Sequence, residues 1–187
     1  MSALVGIGVS VRPIVVERRE RALVRDAQRG SAAALEQLFR LHWPRAYRAA
    51  LVVVGDAAAA EDIAQESFLA AVRALDRFDR RRPFGPWLHR IVVNRAIDWA
   101  RARSLRREIG VDGLAEPAAL EREGGGGRAD ELAAAVASLG VEQRAVIVLR
   151  YLLDYTPGEI AELLDLPRGT VNSRLRRGLD RLGEVLR

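Results

Sequence analysis

The chain has 187 residues, of which 49% are hydrophobic and only 5% aromatic, with a formal net charge of +5 and no cysteine. That length allows one domain or two small ones, and the apolar content excludes wholesale disorder. The missing cysteines exclude disulfides and thiolate metal sites, and all thirty basic residues are arginine.

Residues 1–20, MSALVGIGVSVRPIVVERRE, hold a short apolar stretch with no basic segment before it and no small-residue cleavage site after it. No signal peptide is read there, and no run reaches the ~20 apolar residues of a membrane span. A cytoplasmic protein without membrane insertion is expected. The first twenty residues read either as a loose tail or as the product of a start codon placed too early.

From Arg21 onward the pattern is helical. Gly30-Ser31 reads as a stop followed by an N-cap. The segment 32–54 carries Leu35, Leu38, Phe39 and Leu41 at helical spacing, with Trp43-Pro44 expected to break it. Gly55-Asp56 repeats the stop and start, and the next helix runs to about Leu75. On a wheel of ~100° per residue, Ala64, Phe68, Ala71, Val72 and Leu75 form its core face. Asp62, Gln65, Glu66, Leu69 and Arg73 form a second stripe, polar with a leucine in its middle. The helix dipole accounts for acids near an N-terminus, but not for that leucine.

Residues 78–86, FDRRRPFGP, read as a loop. The helix after it places Trp87, Arg90, Ile91, Asn94, Asp98 and Arg101 on one stripe, and Leu88, Val92, Ala96 and Trp99 on another. Residues 73–107 hold eleven arginines against three aspartates. An aromatic ring, an amide and arginines on one surface suit an unstacked single strand, through stacking, edge recognition and phosphate contacts. Arg80, Arg81 and Arg82 in the loop, with Trp87, Arg90 and Asn94, are the candidate residues; core packing is the competing role for Trp87.

Residues 109–129, with a proline and six glycines, read as a flexible linker. Beyond it, Thr156, Pro157 and Glu159 form an N-cap, first helical position and capping-box partner. Ile160, Ala161, Leu163 and Leu164 supply a short apolar face. A tight turn leads to a second helix expected to bury Val171, Leu175, Leu179 and Leu182. This is helix-turn-helix spacing. The opposite side of the second helix carries Thr170, Ser173, Arg176 and Arg177, with Arg174 and Arg181 on its flank and Arg168 at its start. Arginine pairs bidentately with guanine edges, and Ser or Thr reaches phosphates and bases. Residues 130–165 hold seven acids and two arginines, whereas residues 166–187 hold six arginines and two acids. Charge is thus polarised towards the second helix.

No nucleophile–base pair, ligand cluster or phosphate-cradling loop stands out, and His42 and His89 lie far apart in sequence. A non-enzymatic protein without metal or cofactor is expected. The fold class expected is all-α, two helical modules joined by a linker.

Four stretches, taken in order, resemble the extracytoplasmic-function (ECF) sigma factors of bacterial RNA polymerase. They are LVRDAQRGSAAALEQLFRLHWPRAYRAAL, GDAAAAEDIAQESFLAAVRALDRF, PWLHRIVVNRAIDWAR and YTPGEIAELLDLPRGTVNSRLRR. The resemblance implies a tail over 1–20, a sigma domain 2-like bundle over 21–108, a linker over 109–129 and a sigma domain 4-like helix-turn-helix over 130–187. It implies that Asp62, Gln65 and Glu66, with Leu69 beside them, bind the clamp helices of the core polymerase β′ subunit. The 78–86 loop and Asn94 would capture flipped minus-ten bases, and Thr170, Ser173, Arg174, Arg176 and Arg177 would read the minus-thirty-five element. An anti-sigma partner is also implied. Gly85-Pro86, Arg168 and Asn172 depart from the family's commoner residues, so an unusual loop shape and recognised sequence are expected. The alternative is a helix-turn-helix regulator of the LuxR type, which binds duplex DNA without polymerase.

Overall fold

Three short polar side chains punctuate the chain. In a computed structural model, which describes residues 14–109 and 127–187, Ser31, Asp56 and Thr156 each accept a hydrogen bond from the N–H three residues on. Each satisfies a donor that a helix start leaves without a partner. The helices are α1 (Ile14–Ala27), α2 (Ala32–Val54), α3 (Ala57–Ala74), α4 (Phe84–Glu108), α5 (Arg128–Ala137), α6 (Val141–Ile147), α7 (Pro157–Leu164) and α8 (Arg168–Val185). Leu75–Arg77 adds a 3-10 turn after α3, and Val148–Leu152 continues α6 as a π-helical turn. No strand occurs among the described residues. Gly55 ends α2 in the left-handed region at φ 70°, a conformation glycine adopts without a Cβ clash. No described helix is long and apolar enough to cross a membrane.

Several local expectations are corrected. α2 runs unbroken through Trp43 and Pro44. The ~3 kcal/mol that proline costs inside a helix is offset by packing, because Leu38, His42, Ala46 and Ala49 are buried on both sides of it. α4 begins at Phe84, so the loop that opens at Phe78 ends at Pro83 rather than Pro86, with 79–83 its exposed part, and Gly85 and Pro86 lie in the first helical turn. Proline fits there, where its missing N–H has no intrahelical acceptor to lose. α1 begins at Ile14, not Arg21, and Glu20 is buried; residues 1–13 of the expected tail lie outside the described residues. Most of the expected linker, 110–126, also lies outside them. Val72 is 43% exposed rather than on the core face of α3, and Leu179 is 42% exposed. Gly178 takes the buried position on α8, where a Cβ would stand 2.7 Å from Ile147 Cδ1.

α2 is the hub of the first module, packing on α1, α3 and α4, while α6 and α7 pack on α8 in the second. The two modules share one core. A single buried cluster runs from Leu38 through Val53 and Leu88 to Leu149, Ile160 and Leu175. α6 and its π-helical continuation lie on α2, and α4 meets α6 and α7. Polar contacts stitch this seam. The Tyr155 hydroxyl and His89 Nδ1, both buried, stand 2.8 Å apart. The Arg101 guanidinium donates twice to Glu142 Oε1, at 2.8 and 3.2 Å. Arg144 of α6 reaches the carbonyl end of α2, its Nη1 3.7 Å from where a Gly55 Cβ would sit. A cation there is favoured by the helix dipole, while burial pulls the Arg144 pKa down.

Candidate polymerase and nucleic-acid interfaces

The polar stripe of α3 lies open. Asp62, Gln65, Glu66 and Leu69 are all exposed, Leu69 by 54%. The core side of the same helix explains why the stripe stays outside: Ile63, Ala64, Ser67, Phe68 and Ala71 are buried against α2 and α4. Glu66 donates nothing and accepts from Arg95 Nη1 of α4 at 2.7 Å. Gln65 Nε2 donates to Glu61 Oε1 at 3.2 Å. The surface extends beyond the four residues singled out in the sequence. Val72, one turn on from Phe68, is open to solvent. Phe39 of α2, 40% exposed, packs its ring 4.9 Å from that of Phe68 and 4.8 Å from that of Trp43. Sequence periodicity misplaced Val72 because it lies at the edge of the apolar arc.

The second surface joins the 79–83 loop to α4. Arg80, Arg81 and Arg82 are exposed, as are Arg90 and Asn94, one turn apart on α4. Arg81 is already engaged: its backbone N–H and Nε both donate to Asp79 Oδ1, each at 3.0 Å. The bond with Arg81 Nε and then that with its N–H hold the Asp79 carboxyl below its ordinary range. Trp87 is half-buried, its ring 4.5 Å from Phe78 and 5.5 Å from Phe84. It braces the loop's base while leaving part of its ring accessible.

The third surface is α8. Val171 and Leu175 are buried, so the opposite side is outermost, with Arg168, Arg176 and Arg177 exposed. Thr170, Ser173 and Arg174 are half-buried. The Ser173 hydroxyl donates to the Thr170 carbonyl at 2.9 Å, and Arg177 Nε donates to the Ser173 carbonyl at 3.3 Å. α7 presents the helix from below, its N-terminus closed by the expected capping box. Glu159 Oε2 accepts from the N–H and hydroxyl of Thr156, both at 2.7 Å. Asp165 ends α7 in the left-handed region at φ 54° and turns the chain into α8.

The buried pair of Glu20 and His42 was not legible from sequence spacing. Glu20 Oε1 accepts from Phe84 N–H at 2.7 Å and Gly85 N–H at 3.4 Å, while Oε2 faces His42 Nε2 at 3.3 Å. Burial raises its pKa, but His42 and the two N–H groups outweigh burial and hold it below the ordinary 4.5. Glu142 is lowered too, chiefly by the Arg101 hydrogen bond. Carboxyls depressed by folding stabilise the native state above their unfolded pKa, and that contribution is lost as pH falls through the folded value. Stability should therefore decline as pH drops below about 4.5. Glu20→Gln should flatten that decline in urea titrations taken from pH 5 to 3; an unchanged acid limb would remove Glu20 from the balance. His42 and His89, distant in sequence, have ring centroids 6.5 Å apart, yet no cluster of three metal-ligating side chains occurs among the described residues.

Comparison with known proteins matches the two modules in chain order. The Sigma-70 region 2 family matches residues 38–106, and Sigma-70, region 4 matches residues 129–182. The ECF RNA polymerase sigma factor SigW of Bacillus subtilis (strain 168) is 30% identical over 181 residues, covering 88% of this chain and 95% of SigW. SigL of Mycobacterium tuberculosis (strain H37Rv), also an ECF RNA polymerase sigma factor, is 35% identical over 158 residues, or 82% of this chain and 89% of SigL. Among solved structures, CnrH in complex with the cytosolic domain of CnrY aligns with a TM-score of 0.67 at 29% identity, over 90% of this chain and 97% of that one. The sigma factor RpoE in complex with the anti-sigma factor NepR, from Bartonella quintana, shares the fold at a TM-score of 0.69 and 24% identity, over 81% and 95% of the two chains. With both sigma regions present, in order, and relatives matched along nearly their full length, the chain belongs to the ECF sigma factors of RNA polymerase.

Proposed function

We propose that this sigma factor divides the work of directing core RNA polymerase to promoters among the three surfaces. The α3 stripe docks on the clamp helices of the β′ subunit, with Asp62 and Glu66 meeting basic groups around Leu69. The 79–83 loop, Arg90 and Asn94 hold the opened minus-ten strand, and Trp87 offers the exposed part of its ring. Arg168, Arg176 and Arg177, with Thr170, Ser173 and Arg174 nearer the helix base, read the minus-thirty-five duplex. The observation that carries the docking surface is a leucine 54% exposed beside the acids Asp62 and Glu66 in an arginine-rich protein. Nucleic acid has no use for that combination, and a protein partner does.

The protein acts without catalysis and works in the cytoplasm, where polymerase and promoter meet. An anti-sigma factor is a further partner, supported by the structurally similar RpoE, which was solved with one bound.

Promoter engagement requires the modules to part. A folded chain of this length has a radius of gyration of ~16 Å, whereas two turns of B-DNA span ~68 Å. The 19 residues of 109–127, between α4 and α5, reach ~63–68 Å at ~3.3–3.6 Å each, enough to bridge both elements on one face of the duplex when nearly fully extended.

In vitro selection of duplexes with reconstituted holoenzyme, followed by run-off transcription, tests the proposal. Stimulated, sequence-dependent transcription is expected; folded protein that fails to stimulate core polymerase overturns it. The LuxR-type reading is disfavoured by the region 2 match at residues 38–106. It predicts no stable complex with core polymerase on gel filtration.

A further inference from the structure

We propose that α1 is the positioning element for the minus-ten loop, with Gln28 and Glu20 gripping its two ends. This rests on the 79–83 loop being the strand-capturing surface. The loop is open to solvent, and only Asp79 ties it internally, through Arg81 and through the Arg82 N–H, which donates to the Asp79 carbonyl at 2.9 Å. Its shape therefore depends on where its ends are fixed, and α1 fixes both. On the entering side, Gln28 Nε2 donates to the carbonyls of Leu75 and Phe78 at 2.8 and 3.0 Å. On the leaving side, buried Glu20 accepts from the N–H groups of Phe84 and Gly85. These N–H groups open α4 and have no partner within the helix. Glu20 lies within α1, and Gln28 directly follows its last residue, Ala27, with its N–H still bonded to the Val24 carbonyl at 2.9 Å. Eight residues at helical rise set the two ~12 Å apart, so one helix and its C-terminal turn set the spacing between the loop's ends.

His42 completes the grip by facing the second Glu20 oxygen from α2. Charge-assisted bonds to backbone N–H are the stronger class, and a carboxylate here can only accept. Gln28 must donate, and Glu20 must accept. Glu20 and Gln28 both lie N-terminal to residue 38, where the match to sigma-70 region 2 starts, whereas His42 falls within it. The two gripping residues thus belong to a part of this chain that the family match does not cover.

The test uses full-length protein with core polymerase and a fork-junction probe carrying the selected minus-ten strand unpaired. Gln28→Glu keeps the side chain's size but turns its donors into acceptors facing two carbonyls; Glu20→Gln keeps one acceptor oxygen and introduces a donor. Each should lower affinity for the unpaired strand about tenfold. Core polymerase affinity and binding to a minus-thirty-five duplex should stay unchanged, a split that general loss of structure does not produce. Gln28→Asn, which keeps the donors on a shorter stem, should recover part of the loss. Arg80→Ala with Arg82→Ala serves as the reference. If this pair loses strand affinity while both clamp variants bind like wild type, the clamp is overturned and the loop's role stands. If the arginine pair itself is without effect, the loop's role fails and the clamp with it. A parallel fall in polymerase affinity would make α1 general scaffolding and overturn the proposal.

Discussion

Asp62→Arg combined with Glu66→Arg should weaken binding to core polymerase roughly a hundredfold, since like charges set against a partner cost several kcal/mol. The isolated effect on minus-thirty-five duplex binding should be nil, because α8 lies in the other module. Glu66 also meets Arg95 within the protein at 2.7 Å, so its reversal places two guanidiniums side by side. Arg95→Ala is the necessary companion. It removes the internal partner and should leave docking equal or stronger, since Glu66 then has only the polymerase to satisfy it. Leu69→Ala tests the apolar half of the surface and should cost about tenfold, as expected for a leucine buried by a partner. Fluorescence anisotropy with labelled core polymerase measures all three variants. Undiminished affinity in the double reversal would show that polymerase docks elsewhere.

A second large effect is expected at the seam between the modules. Tyr155→Phe deprives buried His89 Nδ1 of its 2.8 Å hydroxyl contact, a loss of about 1–3 kcal/mol for a buried polar group. Glu142→Arg replaces the exposed ion pair with Arg101 by a repulsion, worth about 0.2–1 kcal/mol, with Arg174 close enough to add to it. Together they should raise the share of parted molecules by roughly ten- to a hundredfold. The chain has no cysteine, so Arg48→Cys and Arg181→Cys, both at exposed positions, accept a donor and an acceptor dye without competition. Energy transfer should fall in the seam variant, and promoter binding should rise. Transfer equal to that of the parent protein would mean these contacts do not hold the modules together.

What was legible in the sequence is what is encoded locally. The Thr156–Glu159 capping box, the Ser31 and Asp56 caps and the Gly55 stop each depend on residues within a few positions, and the structure shows them where spacing placed them. The α3 stripe was legible because helical periodicity alone puts Asp62, Glu66 and Leu69 together. What escaped involves partners far along the chain. His89 and Tyr155 are 66 residues apart, Glu20 and Phe84 are 64 apart, and Gln28 and Phe78 are 50 apart. No pattern of period 3.6 states which faces will meet. Pro44 misled for a related reason. Its local cost is visible in the sequence, whereas the burial around α2 that outweighs it appears only once four helices enclose it.

The seam has one more consequence, for the solubility of the parted molecule. Its polar contacts end in a phenol, an imidazole, a carboxylate and two guanidiniums, all groups that water can solvate once the faces separate. Behind them lies the apolar core that the modules share, with Val53 and Leu88 on one side and Leu149 and Ile160 on the other. Parting the modules bares that surface, and an open apolar patch invites self-association in a crowded cell. The parted form is therefore suited to existing while polymerase or DNA covers it, and the closed form to the free protein.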